Sequence, residues 1–183
     1  MARLPYLDPG DLAPEDRDLL KRPINLFRQL VHSPGAARAL SGLGGYIRHT
    51  STLDPRLREM AILQVGYLAR SEYEYTHHVR LGTEQFGVTP TDIEAISAET
   101  EGRESGLGDL DRAVLSAARA MVTDLAIPDA EFAVLEASLS HEHLVDLVVA
   151  IAFYCAVVRV LATLEIDNEP HYASVLERFP LPD

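Results

Sequence analysis

The amino-acid sequence predicts an all-α protein that folds as a single domain. Apolar residues recur three or four positions apart through most of the chain, which is the spacing of one face of a helix. No segment alternates apolar and polar residues as a half-buried strand does, and no internal repeat is present. At 183 residues, 47% of them hydrophobic, the chain is long enough to bury one sizeable core.

Residues 1–33 are predicted to form an N-terminal arm, and residues 34–183 the helical domain. The arm begins with a Pro-rich extended stretch, and proline residues limit two short helices within it. We expect these helices over Glu15–Lys21 and Asn25–His32. The next helix is expected to run from residue 34 towards residue 47.

Two consecutive helices are predicted at the centre of the chain, and they meet near Ser71. Asp54 can cap the first helix, and Pro55 suits its first position, where no backbone N–H is needed. Ser71 can cap the second helix, and Glu74, three residues later, completes a capping-box pattern. Gly87 can end that helix.

Five further helices and one loop are predicted towards the C-terminus. A polar, Gly-rich segment over residues 99–108 is typical of a loop. The helices are expected from Thr89 through Ala98, over Leu110–Leu125, from Pro128 through about Leu139, from Ser140 onward, and over Glu169–Arg178.

The longest apolar run covers residues 147–158, within the helix that Ser140 caps. It is shorter than a bilayer-spanning helix, and Asp146 and Arg159 flank it, so we expect no membrane span. A helix that is apolar on every side must be buried on every side. We therefore expect it to pack against a second subunit, in a dimer-based homo-oligomer for which a trimer and a hexamer are the open alternatives.

Candidate catalytic residues lie on the two central helices. Glu59 lies on an otherwise apolar stripe of its helix, where burying a carboxylate costs free energy unless the carboxylate has a partner. Glu74 and His78 are four residues apart and share a face of the next helix, with His77 beside them. A carboxylate and an imidazole in contact can exchange a proton near neutral pH. The pattern alone leaves open that Glu59 pairs with Arg56 at the surface and that Glu74 only caps its helix.

Two motifs mark these helices: RxxExxIL at residues 56–63, and EYEYxxH at residues 72–78, followed by Gly87. With them, the segment over residues 54–96 resembles the carboxymuconolactone decarboxylase family, which also contains the AhpD-type alkylhydroperoxidases. The resemblance extends more loosely through the later helices. It implies an AhpD-like helical bundle that is oligomeric.

The resemblance departs from the peroxidase branch of that family, which carries Cys-x-x-Cys-x-x-x-His after a helix with a glutamate. Aligned on Glu59 and His78, the two cysteine positions are Ser71 and Glu74 here, so the redox pair is absent. The sequence is similar to the cysteine-free branch with Glu-Tyr-x-x-His. That similarity implies that Glu59, Glu74 and His78 are catalytic.

We therefore predict a cofactor-free acid–base enzyme, a decarboxylase or lyase for a small organic acid or lactone. When carbon dioxide leaves, a proton must reach the vacated carbon. His78 would donate it, Glu59 would hold the imidazole tautomer or share the proton, and Glu74 would bind a polar substrate group or set the pKa of His78. Arg159 could reach a substrate carboxylate. Substrate-binding residues are predicted at His77, Tyr154 and Arg159.

Two other functions remain open. The first is an alkylhydroperoxidase- or peroxiredoxin-type antioxidant activity, which would need Cys155, the only cysteine, as an exposed thiolate. The second is a non-catalytic small-molecule-binding module. A metal site built from Glu59, Glu74, His77 and His78 is chemically permissible, but the spacing matches no established metal motif. We therefore expect neither a metal nor another cofactor.

Charge and cysteine content limit the partners and the compartment. The formal charge of −12 disfavours nucleic acid, because phosphates need a basic face. It also means that any carboxylate substrate needs a local cation. A single cysteine permits no internal disulfide, and the N-terminus has no apolar signal segment. We expect a cytoplasmic protein with a small-molecule substrate.

Overall fold

The computed structural model describes residues 2–182, and helices make up their regular structure. No strand is present among these residues, so the predicted all-α class is confirmed. The α-helices are α1 (Asn25–Leu30), α2 (Pro34–Gly45), α3 (Pro55–Leu68), α4 (Glu72–Gln85), α5 (Pro90–Thr100), α6 (Asp109–Thr123), α7 (Asp129–Ser138), α8 (His141–Thr163) and α9 (Ala173–Arg178).

The N-terminal arm lies over the helical body of its own chain. Arg3 N donates to Leu164 O at 2.9 Å, and Leu26 N donates to the Tyr73 hydroxyl at 3.1 Å. The helix predicted over Glu15–Lys21 is a 3-10 helix over Pro14–Leu20. These contacts hold the arm against α4 and the end of α8.

Helix α3 occupies the centre of the bundle and packs against α4, α6 and α8. As predicted, Asp54 caps it, because its Oδ1 accepts from Leu57 N at 3.0 Å. Gly66 lets α4 approach α3 closely, and Gly82 leaves room for Val88. A Cβ on Gly66 would lie 3.2 Å from Tyr75 N, and one on Gly82 would lie 3.0 Å from a Val88 methyl group and 3.7 Å from the Glu59 Cβ.

The capping box predicted for α4 is only half formed. The Ser71 hydroxyl accepts from Glu74 N at 3.4 Å, as expected. Ser71 N, however, donates to Gly66 O at 3.0 Å, so the Glu74 carboxylate is not needed there. The prediction of a reciprocal box is wrong, because the turn between α3 and α4 satisfies the Ser71 N–H with a backbone carbonyl. The Glu74 side chain is free to point elsewhere.

Helix α8 extends the predicted apolar run at both ends. Its length and composition alone would allow it to cross a membrane, as those of many buried core helices do. Its inner face packs in the main core, and its buried Asp146 accepts from the Tyr46 hydroxyl at 2.9 Å. In the single chain Val145, Ala152 and Ala156 are exposed on the outer face, and burial of this face against a second subunit stays a prediction.

The remaining elements follow the prediction with small shifts. Helix α2 stops at Gly45 and continues as a π-helical turn over Tyr46–Thr50, a conformation that often occurs at functional positions. Helix α5 extends to Thr100, so the Gly-rich loop begins at residue 101. The helix predicted over Glu169–Arg178 is a 3-10 turn over Pro170–Tyr172 followed by α9.

Candidate active site

Glu59 is fully buried and lies between two cationic side chains. Its Oε1 accepts from Arg58 Nε and Nη2, each at 3.3 Å, and Arg58 is 2% exposed. Its Oε2 lies 2.6 Å from His78 Nδ1. The open alternative of a surface pair between Glu59 and Arg56 is wrong, because Arg56 binds Asp92 and Asp111 instead.

His78 contacts a carboxylate with each of its ring nitrogens. Nδ1 faces Glu59, and Nε2 lies 3.0 Å from Glu74 Oε1. Both nitrogens can donate only when the imidazole is protonated. Burial alone would lower the pKa of His78, but the Glu59 and Glu74 carboxylates outweigh it and raise this pKa to about 9. His78 is therefore an imidazolium at neutral pH.

Glu74 and His78 line a cavity of about 50 Å³ between α2, α4, α8 and the arm. Its wall is largely apolar, with Ile24, Phe27 and Phe153 among the lining residues. Glu59, His78 and Glu74 form a chain of contacts, which we call the relay. The relay begins in the core at Glu59, and Glu74 and the His78 imidazole border the cavity.

Tyr154 and Arg48 form the polar part of the opposite wall. The Tyr154 hydroxyl accepts from Arg48 Nη1 at 3.1 Å. The Tyr154 ring meets the His78 ring edge-on, with 4.9 Å between the centroids. Burial raises the pKa of the Tyr154 hydroxyl well above its ordinary value, so this group stays protonated.

His77 borders the same cavity, but its polar atoms face other partners. Its ring stacks between those of Tyr73 and Tyr172, with centroids 4.1 Å and 3.9 Å away. Nδ1 contacts Tyr73 O at 2.7 Å, and Nε2 lies 2.9 Å from Glu169 Oε2, although not in hydrogen-bonding alignment. His77 therefore fastens the C-terminal segment to α4.

Arg159 is not brought to the cavity. It is exposed, and its Nη1 donates to Cys155 O one turn earlier on α8. Among residues 2–182 no carboxylate lies within ion-pair distance of Arg159, and Asp146 of the same helix binds Tyr46 and Ser51. Arg48 and Arg22 are the arginines that line the cavity instead.

Two further groups bear on the alternatives. Within residues 2–182, no cluster of three or more His, Cys, Asp or Glu side chains could hold a metal ion. Cys155 is half-buried, does not line the cavity, and has its thiol pKa raised by burial. A thiol of this kind is a poor nucleophile at neutral pH.

Comparison with known proteins begins with the family model for the carboxymuconolactone decarboxylase family. It matches residues 34–122, just under half of the chain. That segment contains Arg48 and the relay of Glu59, Glu74 and His78, but it ends before Tyr154. No curated protein matches the chain.

Several solved structures share the fold. An uncharacterized peroxidase-related protein from Ralstonia eutropha, named for its alkylhydroperoxidase AhpD core, has a TM-score of 0.78 at 19% identity, covering 100% of this chain and 98% of its own. The debrominase Bmp8, as a cysteine-to-alanine variant in complex with 2,3,4-tribromopyrrole, has a TM-score of 0.79 at 19% identity, covering 98% of this chain and 100% of its own.

An uncharacterized peroxidase-related protein from a Silicibacter species has a TM-score of 0.73 at 17% identity, covering 93% of this chain and 92% of its own. Identities this low establish likeness of fold alone. Residues 34–122 thus match the carboxymuconolactone decarboxylase family, and the described chain as a whole has the AhpD-like fold.

Proposed function

We propose that the chain belongs to the branch of the carboxymuconolactone decarboxylase family that lacks the Cys-x-x-Cys pair, and that it acts as a cofactor-free carboxy-lyase on a small organic acid or lactone. The observation that carries the proposal is His78, whose two nitrogens each contact a buried carboxylate. One carboxylate, Glu59, is held in the core by Arg58, and the other, Glu74, borders the cavity. A proton stored in the interior can therefore reach a bound molecule through one side chain.

Glu74 transfers the proton to the substrate in this proposal. The Nε2–H of His78 points at Glu74 Oε1, so a carboxyl group is the immediate acceptor of the stored proton. When carbon dioxide leaves, the vacated carbon takes the proton of the Glu74 carboxyl group. Glu74 is then a carboxylate again beside a neutral His78, and solvent restores the proton on His78, so each turnover consumes one.

Arg58 keeps the interior neutral while the proton moves. With Arg58, Glu59, His78 and Glu74 all ionised, the four charges cancel. When His78 passes a proton to Glu74, both become neutral, and Glu59 remains paired with Arg58. No buried charge is left without a partner at either stage, which is the condition for a low-cost transfer in a low-dielectric site.

Self-association is part of the proposal, through the outer face of α8. This face exposes Val145, Ala152 and Ala156, with Val145 59% exposed. These residues are spaced seven and four positions apart, so they form one stripe on the helix. Covering that stripe with the same stripe of a second copy would remove apolar surface from water.

The test is an incubation of the purified protein with small lactones, β-keto acids and hydroperoxides, followed by mass spectrometry. We expect a loss of carbon dioxide from one or more of the acids and uptake of one deuteron at the vacated carbon in deuterium oxide. His78→Ala should abolish this reaction, and the exposed-histidine control His171→Ala should retain it.

Three results would contradict the proposal. Decarboxylation that survives in His78→Ala would remove the relay from the mechanism. Hydroperoxide consumption that survives in Cys155→Ser would indicate a cysteine-independent peroxidase. Stabilisation by one of the compounds with no turnover of any would indicate the binding module, since ligands that bind only the native state raise the melting temperature.

A further inference from the structure

Arg48 is a cation at the cavity without an anionic partner. Its Nη1 donates to the neutral hydroxyl of Tyr154, and no carboxylate of residues 2–182 lies within ion-pair distance of its guanidinium. Other arginines in the bundle, such as Arg56 and Arg58, each bind a carboxylate. In a chain with a formal charge of −12, an unpaired arginine at the wall of a cavity is a local site for an anion.

The Tyr154 hydroxyl carries a second unused donor at the same place. Tyr154 is 2% exposed, and its oxygen accepts the bond from Arg48. Its own proton has no acceptor in the part of the chain that the structure describes. Buried hydroxyl groups normally donate as well as accept, so a missing acceptor at a cavity wall indicates an oxygen atom of a ligand.

Gly44 makes room for this arrangement. A Cβ at Gly44 would lie 3.3 Å from Arg48 Nη1 and 3.3 Å from the Phe153 ring. A larger residue would require the guanidinium or the Phe153 ring to shift by a few tenths of an ångström, so glycine suits this position, and the guanidinium lies between Gly44 and Tyr154. The donors are held in place before any ligand arrives, which is what an electrostatic site needs in order to stabilise charge that develops during a reaction.

We propose that Arg48 and Tyr154 form an oxyanion site that binds the carbonyl oxygen of the substrate. The substrate class that fits this site is a carboxylic acid with a carbonyl group β to the carboxyl group that departs. This inference rests on the proposed function. The electron pair of the broken carbon–carbon bond moves through the α-carbon to the carbonyl oxygen, and carbon dioxide and an enolate result. Arg48 and Tyr154 donate to the enolate oxygen.

The second half of the reaction uses the relay. The enolate carbonyl re-forms, and the α-carbon takes the proton of the Glu74 carboxyl group, which returns to the carboxylate; solvent then restores the proton on His78. Because the Tyr154 and His78 rings touch, the oxyanion site and the relay border one space. A molecule bound in that space can contact both the oxyanion site and the Glu74 carboxyl group.

Acetylacetone tests the oxyanion site without turnover. It is a small β-diketone, and its enolate absorbs at longer ultraviolet wavelength than its enol. We expect the wild-type protein to increase the enolate absorbance at a pH where free acetylacetone is mostly neutral. Arg48→Met and Tyr154→Phe should each weaken this binding, by about 10- to 100-fold for Arg48→Met. Arg103→Met, which removes the same charge in an exposed loop, should bind as the wild type does.

The outcomes separate this inference from the proposed function. Wild-type protein that gives no enolate signal overturns the inference, as do folded Arg48→Met and Tyr154→Phe variants that bind acetylacetone normally. His78-dependent decarboxylation at an undiminished rate in Arg48→Met overturns the oxyanion site and leaves the proposed function standing. Enolate binding that needs Arg48, together with decarboxylation that survives in His78→Ala, overturns the relay and supports the site.

Discussion

Nδ1 of His78 lies 2.6 Å from Oε2 of Glu59, although the two residues belong to different helices. The contact depends on the close packing of α3 and α4, which Gly66 permits. Since the imidazole also contacts Glu74, one side chain joins the packing of the core to the wall of the cavity. The proposed proton transfer would therefore depend on the same contact that stabilises the core.

Replacing Glu59 by glutamine should damage both properties. Glu59→Gln leaves Arg58 buried and unpaired, and we expect a loss of about 3–5 kcal/mol in the free energy of unfolding, measured with urea. The pKa of His78, followed by NMR, should fall well below that of the wild type because burial then acts with one carboxylate fewer. Glu84→Gln, which breaks an exposed pair on α4, should cost less than about 1 kcal/mol. Equal losses in the two variants would contradict the argument.

Stability should decline as pH rises from neutral to alkaline. The pKa of His78 is 6.5 in the unfolded chain and about 9 in the native protein, because the two carboxylates outweigh its burial. A raised native pKa contributes stability that is complete below pH 6.5 and is lost as pH rises through 9. The shift corresponds to roughly 3 kcal/mol. Urea titrations across this range should show the decline in wild type and in His171→Gln, and lose most of it in His78→Gln.

Glu169 should control stability on the acid side. Burial opposes its ionisation, but His77 and the Asn25 N–H outweigh burial and lower the pKa of Glu169 from 4.5 to about 2. The stabilisation is present above pH 4.5 and is lost as pH falls towards 2. Glu169→Gln should therefore be less stable than wild type at pH 6 and equal to it near pH 2, by circular dichroism. The exposed control Glu165→Gln should follow the wild type throughout.

Two glycine-to-alanine substitutions should have opposite signs. A methyl group at Gly66 would lie 3.2 Å from the backbone N of Tyr75, and backbone moves less easily than a side chain. Gly66→Ala should therefore lower the free energy of unfolding by about 1–3 kcal/mol. It should also lower turnover, because it separates α3 from α4. Gly42 lies in α2 with open space around it, so Gly42→Ala should stabilise by about 0.5–1 kcal/mol. Thermal unfolding of both variants decides this, and a stable, active Gly66→Ala enzyme would count against close packing at this contact.

The outer face of α8 should set the assembly state. We expect sedimentation of the wild type to give more than one copy per particle, and Val145→Asp to shift it towards the monomer, because burying an unpaired carboxylate is costly. Val134→Asp, at an exposed valine of α7, should leave the particle size unchanged. A monomeric wild-type protein would rule out the proposed self-association.

Helix order was predictable because its signals are local. Caps and proline positions depend on neighbouring residues, and Asp54 and Ser71 act as the sequence suggests. The contacts of the Glu74 side chain could not be predicted from neighbouring residues. It depended on whether the Ser71 N–H found another acceptor, and the Gly66 carbonyl that supplies one is placed by the turn between two helices.

The arginines were the hardest residues to place. In the apolar run of α8 both faces carry aliphatic residues, so nothing in the pattern showed that Arg159 lies on the outer face with Val145 and Ala156. Arg48 follows a Gly-rich stretch that gave no hint of a cavity. Arg58 stands directly before Glu59, and a charge so close to an apolar stripe was the one available signal that both are buried.

The cavity is lined by residues that lie inside the segment matched by the family model and by residues that lie outside it. Its reactive wall, with Glu74 and His78, lies within residues 34–122, whereas Ile24 and Phe27 of the arm and Phe153 of α8 lie outside that segment. Under the proposed function, changes in the arm would alter which molecules bind and would leave Glu74 and His78 unchanged. Exchanging the arm for that of a relative should therefore change which substrates are bound and leave the type of reaction unchanged.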